Sequence, residues 1–449
     1  MHAIRRTTAR TALAAAIATV MFAAGCGQKI DGDKKTGQAG GKGADIGAAA
    51  KSEKRVDYWS TWGESEPQAK IFKARATAFT KATGIAVNIK YLGRSGNKVL
   101  PQAITSGNGP DLFDGGSDHI AADEAQHLTQ SVDGVLKLPV PGENGKSVSD
   151  VLPANVLKSA QDKDGRLIVV PHTLISTAIW YDKARTPAIA KDKPKTWSDF
   201  LALLDKEKAA GKTPIAQDGL VNSYNVYWFY WLMMRHGGPG SLVGLSTDAK
   251  NWDSPAVLKA AKDVARLAKG GYFQSGYMGT KYPAAQNDWA QGKGALNING
   301  TWLAAETKPQ APADAAPDSF PFPAVPGGHD SVEIGSLGWE LSAKAKHPNA
   351  AKLFLSYLVQ KAVSEQISRT ALNIPARQDT PAPVALKSAQ AAMVSAKETN
   401  TTYDGATANS AWWNNVLLPL DDKLLGGKIS PSAFVAEGRK KTADALANG

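Results

Sequence analysis

The order of elements between residues 55 and 92 constrains the fold more than any other feature of the sequence. Residues 55–59 (Arg-Val-Asp-Tyr-Trp) are strand-like, and apolar residues recur at helical spacing over residues 68–83, which end at Gly84. Residues 85–92 then alternate as a second strand. A strand, a helix and a second strand form the repeating unit of an α/β sheet, so the sequence predicts that fold class.

The same alternation continues along the chain. Residues 97–106 are predicted to form a helix, and residues 111–113 a short strand. Two apolar runs, 166–170 and 178–181, flank Pro171, and such a pair suits a strand that passes between two lobes. The 449 residues are too many for one typical domain, so about two are expected.

The stretch before Trp302 delivers an aromatic ring to the end of a strand. Residues 282–291 are predicted to be helical and to stop at Gly292 and Gly294, and residues 295–298 form a brief apolar strand. In open α/β sheets, ligands bind at the carboxyl ends of the strands. Trp302 is therefore either a wall of a ligand cleft or a hydrophobic plug between elements.

Composition describes a soluble globular protein, with 43% hydrophobic and 21% charged residues. Of the formal net charge of +11, three charges belong to arginines in residues 1–25 and a net three to residues 27–55. The remaining body has no lysine- or arginine-rich run, which argues against nucleic-acid binding.

The first 25 residues combine a basic start, an apolar run and small residues, and they end directly before Cys26. That order predicts a secretory signal. A small-residue run that ends on cysteine resembles the lipobox of bacterial lipoproteins, in which the cysteine is lipidated; the alternative is ordinary secretion with an incidental cysteine. Residues 26–54 are predicted to be a flexible tether, because 27–51 are rich in Gly, Ala, Lys and Asp without apolar periodicity.

Catalytic motifs are missing from the sequence. It contains no His-Glu-x-x-His, no Gly-x-Ser-x-Gly and no phosphate-binding Gly-x-x-x-x-Gly-Lys-Ser/Thr. The single cysteine excludes thiol catalysis and cysteine-based metal sites, and no two histidines are spaced i, i+4, so neither a metal nor a cofactor is predicted. The carboxylates that could form the pair of a glycoside hydrolase are Glu64, Asp114, Asp118 and Glu340.

Tryptophan is abundant, with twelve in the chain. An indole face stacks favourably on the C–H patches of a sugar ring, and planar polar side chains then bind the hydroxyls. Trp180, Trp197 and Trp252 are predicted to lie in the core. The tryptophans that stand next to Gly, Ser, Thr or Asn, and that fit a carbohydrate cleft, are Trp59, Trp62, Trp302, Trp339, Trp412 and Trp413.

Several motifs occur in a fixed order: Gly-Asn-Gly-Pro-Asp-Leu at 107–112, Val-Pro-His followed by Ile-Trp-Tyr-Asp-Lys through 183, Pro-Lys-Thr-Trp-Ser-Asp-Phe at 194–200, Gly-Lys-Gly-Ala-Leu-Asn-Ile-Asn-Gly-Thr-Trp at 292–302, and Asn-Ile-Pro-Ala-Arg at 373–377. Together with the lipobox-like cysteine, this set resembles the carbohydrate-type extracellular solute-binding proteins of bacterial ABC importers, relatives of maltose-binding protein.

The resemblance implies a periplasmic-binding-protein-like fold, in which two α/β lobes are joined by crossing hinge strands and close on a carbohydrate. It places 55–173 and 327–375 in the first lobe, and 174–326 and 376–449 in the second. It further implies a monomer that is exported, lipid-anchored at the outer face of the cell membrane through Cys26, and docks on the transmembrane subunits of an ABC permease. No enzymatic activity is expected.

Carried over by position, the resemblance makes Trp302 a sugar-stacking residue and Asp118 a hydroxyl-binding carboxylate. The other residues expected to contact the substrate are Glu64, Trp62, Asn225, Tyr227, Trp339, Arg377, Trp412 and Trp413.

The segment after Pro171 (His-Thr-Leu-Ile-Ser-Thr) departs from maltose-binding protein because it lacks an acidic residue, so a maltose preference does not transfer. The alternatives are a secreted glycoside hydrolase and a binding protein for a polyol, a polyamine or a peptide. Tryptophan-rich loops favour a sugar, whereas a dominant acidic cleft would favour a polyamine.

Overall fold

The computed structural model describes residues 43–93 and 96–448, and its larger sheet has seven strands. The strand order is β12-β5-β11-β3-β1-β2, with β4 beside β11. Strand β1 is parallel to β2 and β3, as the predicted strand–helix–strand unit requires, whereas β11 runs antiparallel to β3 and β5. These strands are β1 (Arg55–Ser60), β2 (Ala86–Tyr91), β3 (Leu112–Gly116), β4 (Thr129–Gln130), β5 (Val169–Ile175), β11 (Gly335–Ser342) and β12 (Ile374–Pro375).

Helices cover this sheet and complete what we call the first lobe. Buried apolar side chains of the strands and helices form one hydrophobic core, in which Phe72, Trp339 and Phe354 are the large residues. The helices are α1 (Gly43–Glu53), α2 (Pro67–Thr83), α3 (Gly96–Thr105), α4 (Ile120–Ala125), α5 (Val148–Val151), α6 (Ala154–Ser159), α15 (Pro348–Leu358) and α16 (Lys361–Arg369).

A four-stranded sheet organises the second lobe, with the order β7-β8-β6-β9. Its strands are β6 (Thr177–Asp182), β7 (Thr213–Ile215), β8 (Gly294–Gly300) and β9 (Pro317–Phe320). Its helices are α7 (Pro187–Lys191), α8 (Trp197–Ala209), α9 (Asn222–Asn225), α10 (Tyr227–Gly237), α11 (Ser241–Thr247), α12 (Pro255–Gly270), α13 (Ala284–Ala290), α14 (Leu303–Thr307), α18 (Ser410–Trp412), α19 (Leu418–Leu425) and α20 (Pro431–Asn448).

The core of the second lobe is strongly aromatic. Helix α10 buries nearly all of its side chains, which explains why the sequence is aromatic around its full circumference. Trp197 and Trp252 lie in this core, and Trp180 is fully buried on β6, where its ring packs against Trp289 of α13, so the prediction that these three are buried is confirmed. Within the described residues, none of the helices combines the length and apolarity that a membrane span requires.

Within the residues that the structure describes, the chain crosses between the two sheets at three places. Strand β5 passes into β6 through Ser176, whose carbonyl oxygen accepts a hydrogen bond of 2.9 Å from the backbone N–H of Thr301. The other two crossings lie side by side, because β10 (Val332–Glu333) pairs in parallel with β13 (Thr399–Asn400). Pro171 lies within β5, close to the first crossing, as expected for a strand that links lobes.

The tether prediction is wrong for residues 43–53, which form helix α1. Ile46 and Ala50 are buried in the core of the first lobe. The carboxylate of Glu53 accepts hydrogen bonds from the Asn349 side chain at 2.8 Å and from the Ala350 backbone N–H at 2.7 Å, at the start of α15. Glu53 therefore caps that helix and anchors α1. Residues 1–42, and with them the predicted signal and Cys26, lie outside the described residues.

The predicted lobe boundary at residue 375 stays a prediction. Helix α17 (Lys387–Ser395) contacts β9 of the second lobe, and the hydroxyl of Ser388 donates to Asp318 of that strand at 3.4 Å. On the other side, the side chain of Asn155 in α6 donates to the carbonyl oxygen of Met393 at 3.2 Å. The segment that contains α17 therefore packs against both lobes.

Glu333 is a buried carboxylate at the crossing between the lobes, and it makes the stability of the fold depend on pH. Burial raises its pKa from the ordinary 4.5 to about 7, and Tyr230 donates a hydrogen bond of 3.2 Å to Oε2. Because the pKa is higher in the folded state, the protonated form favours folding. This contribution is fully present below pH 4.5 and is lost as the pH rises through about 7.

The Glu333→Gln variant should lack this part of the pH dependence. Between pH 4.5 and about 8, the wild type should lose roughly 2 to 3 kcal/mol more unfolding free energy than the variant. Urea unfolding at a series of pH values measures the difference. Parallel pH curves for the two proteins would contradict it.

Candidate functional site

A cavity of 770 Å³ opens where strands of both lobes end, and it is lined by residues of both. Trp62 follows the end of β1, Asp118 follows β3, and Trp302 follows β8. This is the edge of an α/β sheet at which ligands bind, and the volume is in the range of small-molecule sites. The structure therefore brings Trp62, Asp118 and Trp302 together, whereas their roles in binding stay a prediction.

Trp302 is half-buried, and its indole ring folds back over Gly300. A Cβ atom at position 300 would lie 2.2 Å from the ring, so the ring can occupy this place only because residue 300 is glycine. The side chain of Tyr224 hydrogen-bonds to Trp302. The Asn-Gly pair at the end of β8 thus sets the direction of the indole ring.

Gly300→Ala should displace that ring and weaken ligand binding roughly three- to tenfold, the cost of forcing the indole off its rotamer. Gly279→Ala is the matched control, because a Cβ atom there meets nothing within 4 Å. Isothermal titration calorimetry with a ligand of the wild type measures both variants. Equal affinities for the wild type and Gly300→Ala would show that the position of the ring is unimportant.

A buried carboxylate fixes the loop that carries Trp62. Asp114 accepts hydrogen bonds from the hydroxyls of Tyr58 and Ser60 and, at 2.8 Å, from the backbone N–H of Thr61. Burial raises the pKa of Asp114 to about 6. Sequence reasoning had considered Asp114 only as a hydrolase carboxylate, and its saturated hydrogen bonds indicate a positioning role instead.

Two further carboxylates lie together on the wall of the first lobe. Oδ2 of Asp118 is 3.5 Å from Nε2 of His119. Asp123, in the first turn of α4, also lines the cavity, and burial raises its pKa to about 6, with His119 lowering it and Asp118 raising it. Asp123 was missed at the sequence level, although its place five residues after Asp118, at the start of a short helix, was a usable signal.

Trp339 is wrong as a cleft residue. It lies on the central strand β11 with none of its surface exposed. Its Nε1 donates to the hydroxyl of Tyr58 at 3.2 Å, and its ring packs against Phe72 and His172. The glycine beside it in sequence reflects the close approach of β5, because a Cβ atom at Gly338 would lie 2.3 Å from the carbonyl oxygen of Val170.

Trp412 and Trp413 are also buried in the core of the second lobe, at 1% and 6% exposure, so neither faces the cleft. Nε1 of Trp412 donates to Thr442 Oγ1 at 2.8 Å. The ring of Trp413 lies 4.8 Å from that of Tyr403. They stabilise the helices at the end of the chain rather than contact a ligand.

Asn225 and Tyr227 do not line the cavity. Asn225 is fully buried and donates to the carbonyl oxygen of Gly219 and to Asp422. Tyr227 is 2% exposed and stacks on Tyr224, the residue that contacts Trp302. The prediction that they face the cleft is wrong, but Tyr227 supports the sugar-stacking candidate through Tyr224.

Arg377 and Glu64 are engaged elsewhere. Arg377 is 1% exposed and forms two-pronged hydrogen bonds with Glu143 and with Asp379, all between 2.7 and 2.9 Å. Glu64 pairs with Lys73 at 2.8 Å on the surface, where both side chains are more than 60% exposed. Neither lines the cavity.

One group of side chains has the spacing of a metal site. Oxygen and nitrogen atoms of Asp57, Asp111 and His347 lie within 4.8 Å of one another. Asp111, however, already accepts hydrogen bonds from the backbone N–H groups of Asp57, Lys346 and His347. Its lone pairs therefore hold the start of α15 against the first sheet, which is a structural role.

The chain is similar in sequence to proteins whose names describe sugar binding. The diacetylchitobiose-binding protein NgcE of Streptomyces coelicolor is 25% identical over 382 residues, which are 82% of this chain and 79% of that protein. The Multiple sugar-binding protein of Streptococcus mutans is 28% identical over 197 residues, 42% of this chain and 46% of that protein.

Solved structures give the same answer for the fold. The solute receptor AcbH, described as preferring galactopyranose, superposes with a TM-score of 0.71 at 19% identity, covering 88% of this chain and 97% of that one. A chitin oligosaccharide binding protein superposes with a TM-score of 0.69 at 20% identity, covering 88% and 99%. These likenesses confirm the predicted two-lobed, periplasmic-binding-protein-like fold. The model of the bacterial extracellular solute-binding proteins matches residues 62–365, more than half of the chain, and the protein belongs to that family.

Proposed function

We propose that this protein is the substrate-binding component of an ABC importer for carbohydrates, which captures a mono- or oligosaccharide between its lobes and delivers it to the permease. The observation that carries the proposal is that Trp62 of the first lobe and Trp302 of the second line one cavity of 770 Å³. Relatives with sugar-binding names support the carbohydrate class.

The mechanism follows from linkage between binding and closure. Open and closed arrangements of such lobes differ by only a few kcal/mol, and a ligand that contacts both lobes stabilises the closed one. Trp302 and Trp62 would stack on sugar faces from opposite sides, and Asp118 would accept hydrogen bonds from hydroxyls. Closure then creates the surface that the permease recognises.

A thermal-shift screen across mono- and oligosaccharides, followed by calorimetry, tests this function. A ligand at 100 times its dissociation constant should add about 2.7 kcal/mol to the unfolding free energy. If no sugar stabilises the protein while a polyol, a polyamine or a peptide does, the carbohydrate class is wrong. A reducing-sugar assay with the same oligosaccharides separates binding from glycoside hydrolysis, since a binding protein releases no new reducing ends.

Attachment to the membrane through a lipid on Cys26 is part of the proposal. The support is the small-residue run that ends on this cysteine after an apolar segment. In the bacterial host, the wild type should fractionate with membranes and incorporate a labelled fatty acid. The Cys26→Ala variant should not be labelled and should no longer fractionate with membranes. If the wild type is not labelled either, Cys26 is not lipidated and the protein is secreted without an anchor.

A further inference from the structure

Apart from two histidines, the ionisable side chains that line the cavity are all carboxylates, which carry negative charge. Five carboxylates line it, and no lysine or arginine does so among the described residues. This contrasts with the chain as a whole, in which lysine and arginine outnumber aspartate and glutamate by 52 to 41. The lining carboxylates are Glu66, Asp114, Asp118, Asp123 and Glu306.

The two histidines of the lining do not balance this charge. Burial lowers the pKa of His172 to about 3, so its ring is neutral. Its Nδ1 lies 2.9 Å from Thr173 Oγ1, whereas its buried Nε2 has no hydrogen-bond partner within the described part of the chain. His172 therefore adds no charge to the lining. His119 is more than half exposed and lies beside Asp118, and it also lowers the pKa of Asp123.

Another carboxylate lies directly behind the wall. A Cβ atom at Gly115, a lining residue, would be 2.0 Å from Oε1 of Glu340. Glu340 is fully buried, and burial, followed by the charges of Asp123 and Asp118, raises its pKa well above the ordinary value. Acidic groups are thus concentrated around Asp118 and Asp123, on one wall of the cavity.

Closure on a neutral sugar would remove water from these carboxylates without supplying an opposite charge, and burial of an unpaired charge is costly. An acidic sugar would add repulsion. A sugar that carries a protonated amine would supply both the apolar ring face for Trp62 and Trp302 and the missing positive charge for Asp118 and Asp123.

We propose that the ligand is an amino sugar with a free, protonated amine, bound with its amine between Asp118 and Asp123 and its ring against the tryptophans. This inference rests on the proposed function and narrows its substrate class. The amine replaces the water lost on closure, so it contributes more to affinity than an acetamide or a hydroxyl at the same carbon.

Calorimetry with sugars that differ at a single group tests the proposal. The series is glucosamine, N-acetylglucosamine, glucose and glucuronate, the corresponding galactose derivatives, and the β-1,4-linked dimers of glucosamine, N-acetylglucosamine and glucose. The amino sugar that binds most tightly should bind at least about tenfold more tightly than the sugars with an acetamide or a hydroxyl at the same carbon, as expected for a desolvated charge pair. Its affinity should fall as salt rises, while any neutral sugar should show little salt dependence.

Carboxylate-to-amide variants locate the effect. Asp118→Asn and Asp123→Asn should each weaken binding of the amino sugar at least about tenfold and bring its affinity close to that of its neutral counterparts. Asp164→Asn is the matched control, because Asp164 is an exposed carboxylate of the first lobe that pairs with Lys163. Circular dichroism checks that each variant is folded, and either cavity variant alone suffices for the comparison.

The outcomes separate this inference from the proposed function. If a neutral or acidic sugar binds as tightly as the amino sugar or more tightly, the inference of an amino-sugar ligand is wrong, whereas the proposed function in carbohydrate import stands. Binding of spermidine without any sugar overturns both. Calcium chloride alone could also shift the melting temperature of the wild type. If Asp118→Asn and Asp123→Asn abolish such a shift, the two carboxylates bind a cation and the inference of an amino-sugar ligand is wrong.

Discussion

Replacing Trp302 with alanine is expected to raise the dissociation constant of the transported sugar at least about tenfold. The loss combines a stacking contribution of roughly 1 kcal/mol with the apolar area that the indole ring buries against the sugar. Trp302 is well placed to produce this effect because its ring is half-buried over Gly300 and lines the cavity from the second lobe. Isothermal titration calorimetry on the folded variant measures it.

Trp59→Ala is the matched control for this experiment. Trp59 is also a half-buried tryptophan at the end of the first strand, but its ring lies under Nζ of Lys90 at 4.2 Å and does not line the cavity. Its removal should leave sugar affinity unchanged. An unchanged affinity in Trp302→Ala as well would mean that this indole ring is a plug between elements, the alternative that the sequence left open.

Strand ends were the part of the site that the sequence could predict. The period of apolar residues locates β1 and β8, and a residue just beyond a strand lies at the ligand-binding edge whatever the tertiary packing. Trp62 and Trp302 were found in this way. Asp118, eight residues beyond Pro110, came instead from the resemblance to the solute-binding proteins, and the structure places it on the cavity.

Tryptophans inside elements could not be assigned from their sequence neighbours. Trp339 and Trp412 stand beside small or polar residues, yet both rings are buried because their strand and helix are covered on the relevant face by segments far away in sequence. Helix α1 escaped prediction for a related reason. With 11 residues it is too short to be a stable helix by itself, and it is held by the hydrogen bond of Glu53 to the start of α15, about 300 residues later.

Arg377 shows the same limit most clearly, because its partner Glu143 is 234 residues away. Its guanidinium group joins the loop of Glu143 to the segment that follows β12, and also donates to the carbonyl oxygen of Val359 at 2.9 Å. The Asn-Ile-Pro-Ala-Arg motif therefore marks a structural anchor of the first lobe. A variant at this position separates that role from the predicted contact with substrate.

Arg377→Met is expected to lower the unfolding free energy by about 3 kcal/mol or more, because it leaves the mostly buried carboxylate of Glu143 without its counter-charge. Sugar affinity should be unchanged, since Arg377 lies outside the cavity lining. Arg369→Met is the control: that arginine is exposed and pairs with Glu365 four residues earlier, so its loss should cost less than about 1 kcal/mol. Urea unfolding and calorimetry on both variants give the two quantities. Weaker sugar binding in Arg377→Met at unaltered stability would show that Arg377 belongs to the substrate site. A residue that only anchors the lobe changes the unfolding free energy and does not change the sugar affinity.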